Sequence, residues 1–396
     1  MKNKKLANLF LVFCFFAFLA AALLITMTKP KAGWSYYENR GLKAWTAPTA
    51  ESVADGSFCQ NAEAMLQDHA AGRNTLLKSS TWADLNLVRR PVVNQIIPSE
   101  DILLHYLAYS TPDSAAITAQ AQSMASQLAA LRDVVESYGG RYYHVAVPGQ
   151  YAYFEDAHPS YLNNCAQYTD LSLAAFTKAM EEQDLTLIEM GGVFDRLGNP
   201  TQFYSLTDYH YSMAGAYQTY LTIMEQINRD RTEPLTVLQG DAVRFETLEN
   251  PFLGSRARKI FGLWGRSEQA QVVWPTQPIP FTRTNYGLEA EASVYSLPAS
   301  QEEQIAYSIY MGGDIGETVI DTGRDELPSV LIYGDSFTNP IEGLLYYSFN
   351  QLRSIDLRHY SEMSLAEYIR LHQPDVVLCV RDYEVLLSTD YNGSVF

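Results

Sequence analysis

With 396 residues, 47% of them apolar, the chain has the length for one large or two ordinary domains and a sizeable core. Its formal net charge is −17, and setting aside Lys2, Lys4, Lys5, Lys29 and Lys31 leaves 23 basic against 45 acidic residues in the body. A field of that sign repels nucleic acid and anionic lipid, and four cysteines without C-x-x-C or Cys/His spacing support neither a disulfide framework nor a zinc site.

In chain order, residues 1–5 read as a basic cytoplasmic tail and the uncharged residues 6–28 as a transmembrane helix. Ala20-Ala21-Ala22 offers a cleavage site, but the apolar run continues through Leu23-Leu24-Ile25. That continuation favours an uncleaved signal anchor over a cleaved leader. The flanking lysines put the short N-terminus inside and the rest of the chain outside the cytoplasm. Residues 29–60 read as an irregular juxtamembrane stalk or arm, and residues 61–90 have helical composition, ended by Pro91 and Pro98.

Asp113 or Ser114 caps a helix that reaches Tyr138, where Gly139-Gly140 stops it. Arg141–Pro148 follows as a strand, residues 168–183 as a helix and Leu185–Glu189 as a short strand. Ser212 caps a further helix to about Asn228. Residues 233–327 show no sustained period and read as a long irregular insertion, functional or made of short strands and loops laid over the sheet. Val330–Tyr333 is an apolar strand, followed by a helix at 340–350, a strand at Ser354–Leu357, a capping box at Ser364-Leu-Ala-Glu367 and a strand at Val376–Val380. Alternating strands and helices at these spacings predict an α/β fold: a mostly parallel sheet, helices on both faces, right-handed crossovers.

Chemistry enters at Gly334-Asp335-Ser336, where a small-residue turn exposes one hydroxyl at the carboxyl end of a buried strand. The segment Thr207-Asp208-Tyr209-His210-Tyr211-Ser212 offers a base just ahead of a helix N-terminus. In extended chain Asp208 and His210 point the same way, so the carboxylate is able to orient the ring and stabilise its protonated form. Ser336 as nucleophile, His210 as base and Asp208 as its partner make a complete set for acyl transfer. Each has an ordinary alternative, a turn or a helix cap. His144 is the one rival base; His69, His105, His158, His359 and His372 read as surface or turn residues. Phosphate-loop and dinucleotide fingerprints and the Gly-x-Ser-x-Gly elbow are absent, so no cofactor is expected.

Gly334-Asp335-Ser336 with Asn339 resembles the first block of SGNH hydrolases, and Thr207–Tyr217 resembles the name-giving motif of the bacterial DHHW family. That family is similar to the SGNH-like polysaccharide O-acetyltransferases, such as those of alginate. Ser35–Leu42, Phe252-Leu-Gly-Ser255, Ile355-Asp-Leu-Arg358 and Pro374-Asp-Val-Val377 resemble further family segments, in the family's order. The resemblance implies an SGNH-like (flavodoxin-like) domain over residues 61–396, with the insertion at about 233–327. It also implies Ser336, His210 and Asp208 in the catalytic roles named above. The motif's first histidine is Tyr209 here and its tryptophan is Tyr211; neither belongs to the catalytic pair, so acceptor contacts are where the chain is expected to differ. Asn339, Asp335, Arg358 and Tyr211 are candidates for the oxyanion site or pocket, and Trp264, Trp274 and Tyr211 for stacking on sugar rings. The implied reaction moves an acetyl group onto or off a cell-surface glycan. A membrane acyltransferase supplies the donor in the transferase case only. The reading from another class is a catalytically silent glycan-binding or scaffold protein.

Overall fold

A computed structural model describes residues 2–107, 112–162 and 166–388 of the chain. It divides into two compact units, residues 1–94 with 257–264, and residues 95–256 with 265–396.

The first unit begins with helix α1, Lys2–Thr28, whose Lys4–Thr28 part is long and apolar enough to cross a membrane. Its last turn is held inside the unit, where Thr26 is buried and its hydroxyl accepts from Ala71 N at 3.0 Å. Helices α2, Ser57–His69, and α3, Arg73–Ala83, follow. The expected arm at 29–60 is less irregular than its composition suggests, because Thr49 and Ser52 form a capping box over a short helix at Ala50–Ala54. Arg40 and Arg73 tie the arm down through Asp68 and Glu38.

The second unit is organised by an eight-stranded mixed sheet. Its strands in chain order are β1, Arg141–Val147; β2, Leu187–Glu189; β3, Thr282–Asn285; β4, Leu288–Ala290; β5, Glu317–Asp321; β6, Val330–Gly334; β7, Gln351–Ile355; and β8, Val376–Asp382. Spatially they run β4-β3-β5-β7-β6-β8-β1-β2. The block β7-β6-β8-β1-β2 is parallel, and β5, β3 and β4 continue it antiparallel. Helices α4 (Ser114–Glu136), α5 (Ala166–Glu182), α6 (Met213–Arg229), α7 (Asn339–Leu345) and α8 (Leu365–His372) cover the sheet.

Strand side chains alternate between two cores. Val330, Ile332, Leu378 and Val380 pack with α6 and α7, whereas Leu331, Tyr333, Val377 and Cys379 pack with α4, α5 and α8. Period-2 alternation with both sides apolar is why the central strands read as continuous hydrophobic runs. Asp113 caps α4, Ser212 caps α6, and Ser364 with Glu367 forms the capping box of α8. Cys379 is a buried core residue; Cys165 lies outside the described residues.

The 233–327 segment departs from the sequence expectation. Its strands β3, β4 and β5 lengthen the sheet at one edge rather than lying over it. Tyr286-Gly287, both at positive φ, make the two-residue turn that pairs β3 with β4. The second strand of the C-terminal repeat also sits earlier than expected, at Gln351–Ile355 rather than 354–357. In the sheet β6 has β7 on one side and β8 on the other, so the chain reverses its direction of travel there. Such a switch point opens a crevice at the carboxyl end of β6.

Candidate active site

The turn after β6 is shaped by close approach. A Cβ on Gly334 would run into the carbonyl oxygen of Val380 on β8, so the position needs glycine. Asp335 is spent on the turn itself: Oδ1 accepts from Phe337 N at 2.9 Å and Oδ2 from Asp382 N at 3.3 Å. Burial pushes its carboxyl up, against the Phe337 N–H and the Arg381 charge. Ser336 follows, buried, with its Oγ directed at the loop ahead of α6.

That loop carries Asp208 and His210. His210 Nε2 lies 2.6 Å from Ser336 Oγ, and His210 Nδ1 lies 2.6 Å from Asp208 Oδ1. Asp208 Oδ1 also accepts from the backbone N–H groups of Tyr209 at 2.8 Å and His210 at 3.3 Å, and Oδ2 from Ser255 N at 2.6 Å. Burial raises the Asp208 carboxyl, but the His210 ring and these N–H donors outweigh it and hold the group well below the usual carboxylate range. The imidazole is clamped between two rings, Tyr307 stacked at 3.5 Å and 3° and Tyr209 at 3.7 Å and 33°.

The loop is held from behind by Glu268, whose carboxylate accepts from Ser205 Oγ, Leu206 N, Thr207 N and Thr207 Oγ1 at 2.7–3.0 Å. Gln150 donates to the carbonyls of Ser205 and Asp208 at 2.6 and 2.9 Å. Gly254 lies flat on the Thr207–Asp208 peptide, where a Cβ would overlap the Thr207 carbonyl.

The remaining candidates are placed as follows. Tyr211 is buried, its hydroxyl donating to the Phe337 carbonyl, so it braces the turn that carries Ser336 rather than offering a free ring. Asn339 Nδ2 donates to Asp314 Oδ1 at 3.2 Å. Arg358 grips Asp356 through Nε and Nη2 at 2.6–3.1 Å and pairs with Asp314 at 3.1 Å. Asp314, Asp356 and His359 offer ligand atoms within 4.8 Å of one another, and the Arg358 guanidinium supplies the positive charge beside the two carboxylates. Trp274 is half-buried, with Nε1 donating to Glu246 and its ring edge-on to Tyr295. Trp264 belongs to the first unit, not to the unit that holds Ser336. His144, the rival base, packs on Phe176 with Nδ1 at 3.2 Å from the Tyr142 hydroxyl; burial and the Arg381 charge push it down to about 3.

Four participants escaped the sequence reading: Tyr209, whose hydroxyl lies 2.9 Å from Ser336 Oγ, Tyr307, the Ser255 N–H and Glu268. Alternation in an extended chain would turn Tyr209 away from its neighbours. The segment bends instead, as Asp208 Oδ1 gathers the next two N–H groups, and both rings face the serine. A cavity of about 440 Å³ adjoins this loop, with Gln202, Ser205, Tyr211, Glu268, Tyr307 and Tyr310 in its wall; Ser336 does not line it.

Beneath the turn, Glu342 accepts from Thr338 Oγ1 at 2.6 Å, and burial pushes its carboxyl up to about 7 from 4.5. A raised carboxyl pKa means stability that is full below about 4.5 and declines as pH rises to about 7. We expect Glu342→Gln to flatten that decline and to stabilise the protein by about 3 kcal/mol at pH 8. Thermal unfolding of both proteins at pH 5 and pH 8 checks it; parallel shifts in the two would refute the assignment.

A sequence-family model described as SGNH hydrolase-like domain, acetyltransferase AlgX, matches residues 105–291, a span that includes Asp208 and His210 and stops short of Ser336. No curated protein sequence matches the chain. Among solved structures, Bacillus cereus PatB1 with a sulfonyl adduct is similar at TM-score 0.60 and 21% identity, over 74% of this chain and 94% of that one. A DHHW family protein from Eubacterium siraeum is similar at TM-score 0.55 and 19% identity, over 76% and 97%. At such identities the structural likenesses speak to the fold alone.

Proposed function

From the premise that this chain carries an SGNH hydrolase-like domain related to that acetyltransferase group, we propose a serine-dependent acyl-transfer enzyme that acts on a cell-surface glycan. The observation that supports the reading is the continuous set Ser336 Oγ, His210 and Asp208, joined by two contacts of 2.6 Å. In the first half-reaction His210 Nε2 takes the Ser336 proton as Oγ bonds to the donor's acyl carbon. The carbonyl electron pair moves onto oxygen, in reach of the Ser336 backbone N–H. Collapse then breaks the bond to the leaving oxygen, which receives the proton from His210. In the second half-reaction His210 deprotonates a sugar hydroxyl or water, whose oxygen bonds to the acyl carbon; the adduct then collapses, the acyl carbon–Oγ bond breaks, and Oγ takes the proton back from His210. A sugar makes the enzyme an O-acetyltransferase and water an O-acetylesterase. Helix α1 would serve as the signal anchor, with the domain outside the cytoplasm and a membrane acyltransferase as donor partner in the transferase case.

The test uses the full chain in detergent with a chromogenic acetyl ester. Hydrolysis is expected, together with stoichiometric labelling of Ser336 by phenylmethylsulfonyl fluoride, and loss of both in Ser336→Ala. Added acceptor oligosaccharide that accelerates ester consumption and becomes acetylated identifies the transferase. No turnover and no label in the wild type, with glycan binding unchanged in Ser336→Ala, would instead make this a binding protein.

A further inference from the structure

The inference rests on Ser336 being the acylated residue and concerns the phenol beside it. Among the described residues Ser336 Oγ has two hydrogen-bond partners, His210 Nε2 at 2.6 Å and Tyr209 Oη at 2.9 Å. The proton directions are set from the buried end. Asp208, held ionised, accepts from His210 Nδ1–H, so Nε2 is the acceptor for the serine proton. Ser336 Oγ has one hydrogen and gives it to His210, which leaves Tyr209 as the donor. The bonds therefore run in one sense, Tyr209 to Ser336 to His210 to Asp208. Desolvation of the hydroxyl end, with the Asp208 charge behind it, raises the phenol above its ordinary value against the Ser336 bond, so it keeps its hydrogen at neutral pH.

We propose that Tyr209 is a catalytic residue, an oxyanion donor that is handed from Ser336 Oγ to the carbonyl oxygen of the acyl adduct. Before attack its O–H stabilises charge developing on Oγ. Once Oγ has bonded to the acyl carbon, an ester oxygen is a poor acceptor and the bond to Tyr209 weakens. The carbonyl oxygen, now negatively charged, stands one carbon away from Oγ, so the phenol reaches it by moving about one bond length. The Tyr209 hydrogen stays on Tyr209 throughout; the proton in transit is the one shuttled by His210. The ring has room for that movement, because one face rests on His210 while 38% of the residue is open to solvent. Asn339, the sequence-level candidate for this duty, already donates to Asp314.

A donor that serves the oxyanion assists both the attack by Ser336 and the later attack on the acyl-serine, whereas a group that merely orients Oγ assists only the first of these attacks. Tyr209→Phe keeps the ring on His210 and removes one oxygen. With p-nitrophenyl acetate and the full chain, acylation is read from the p-nitrophenol burst and deacylation from decay of the acetyl-protein mass. Both rate constants are expected to fall on the order of 10²-fold. Protein carrying 3-fluorotyrosine at 209, which retains a hydroxyl of greater donor strength, is expected to deacylate at or above the wild-type rate. That second form keeps the test decisive if the phenylalanine variant folds poorly. Deacylation at the wild-type rate in Tyr209→Phe would overturn the proposal and leave Tyr209 as a positioning residue. Failure of the wild type to form any acetyl-serine at 336 would instead bring down the Ser336 reading, and this one with it.

Discussion

Replacing His210 with alanine is expected to lower turnover of an activated acetyl ester by ~10⁴-fold or more, and Ser336→Ala,His210→Ala is expected to be no worse than either single variant. On the proposed mechanism the two side chains, 2.6 Å apart, act as one proton-transfer unit, so losing either removes the whole of it. A second consequence falls on stability. Asp208 is 1% exposed and keeps its charge through the imidazole and three backbone N–H groups. Its depressed pKa contributes stability that is present above the ordinary carboxylate range and lost as pH falls through the folded value. Without His210 part of that contribution goes, and a buried carboxylate loses its charged-state partner, at a cost of about 3 kcal/mol at neutral pH. Activity should therefore be scored against the folded fraction, measured by circular dichroism at the assay temperature. Ester turnover within tenfold of wild type in folded His210→Ala would refute the role assigned to this ring.

Gly254→Ala is expected to damage stability and activity together, from a residue that touches no substrate. The new methyl would enter the Thr207 carbonyl and the Asp208 amide, and the segment carrying Ser255 has to retreat. Overpacking of this kind costs about 1–3 kcal/mol. The retreat also draws the Ser255 N–H off Asp208 Oδ2, now 2.6 Å away, which weakens the group that orients His210. Urea midpoints and ester kinetics on the two proteins give the comparison; a fall of about tenfold or more in kcat is expected, since removing positioning groups has such effects at small displacements. An alanine variant with unchanged midpoint and unchanged kcat would mean that the loop yields freely and that this close approach is incidental.

These two experiments separate what was legible from what was not. Ser336, His210 and Asp208 stood out because their chemistry is unusual for their local context: a hydroxyl at the end of an apolar strand, and an acid and an imidazole two residues apart before a helix cap. Gly254 was visible only as part of a family segment, Phe252-Leu-Gly-Ser255. What it does depends on a peptide 47 residues earlier, a distance no local pattern spans. Glu268 gives no sign of its task in sequence either. It is one acid among 45, and it is the convergence of four donors from residues 205–207 that singles it out.

The same division runs through the fold. By itself the sequence determined the parallel block, because strands buried on both faces must be continuously apolar, and it determined the helix starts at Asp113 or Ser114, at Ser212 and at Ser364, because a cap is a contact within three residues. It also determined one helix of membrane-spanning length at the N-terminus. Tertiary structure alone decided the antiparallel extension. Strands β3 and β4 are short, largely polar and near the sheet edge, so they owe their form to the pairing of β3 with β5 rather than to any pattern of their own. It alone also decided that Tyr209 meets Ser336: the bend made by Asp208 is local, but the serine it turns the ring toward lies 127 residues further along the chain.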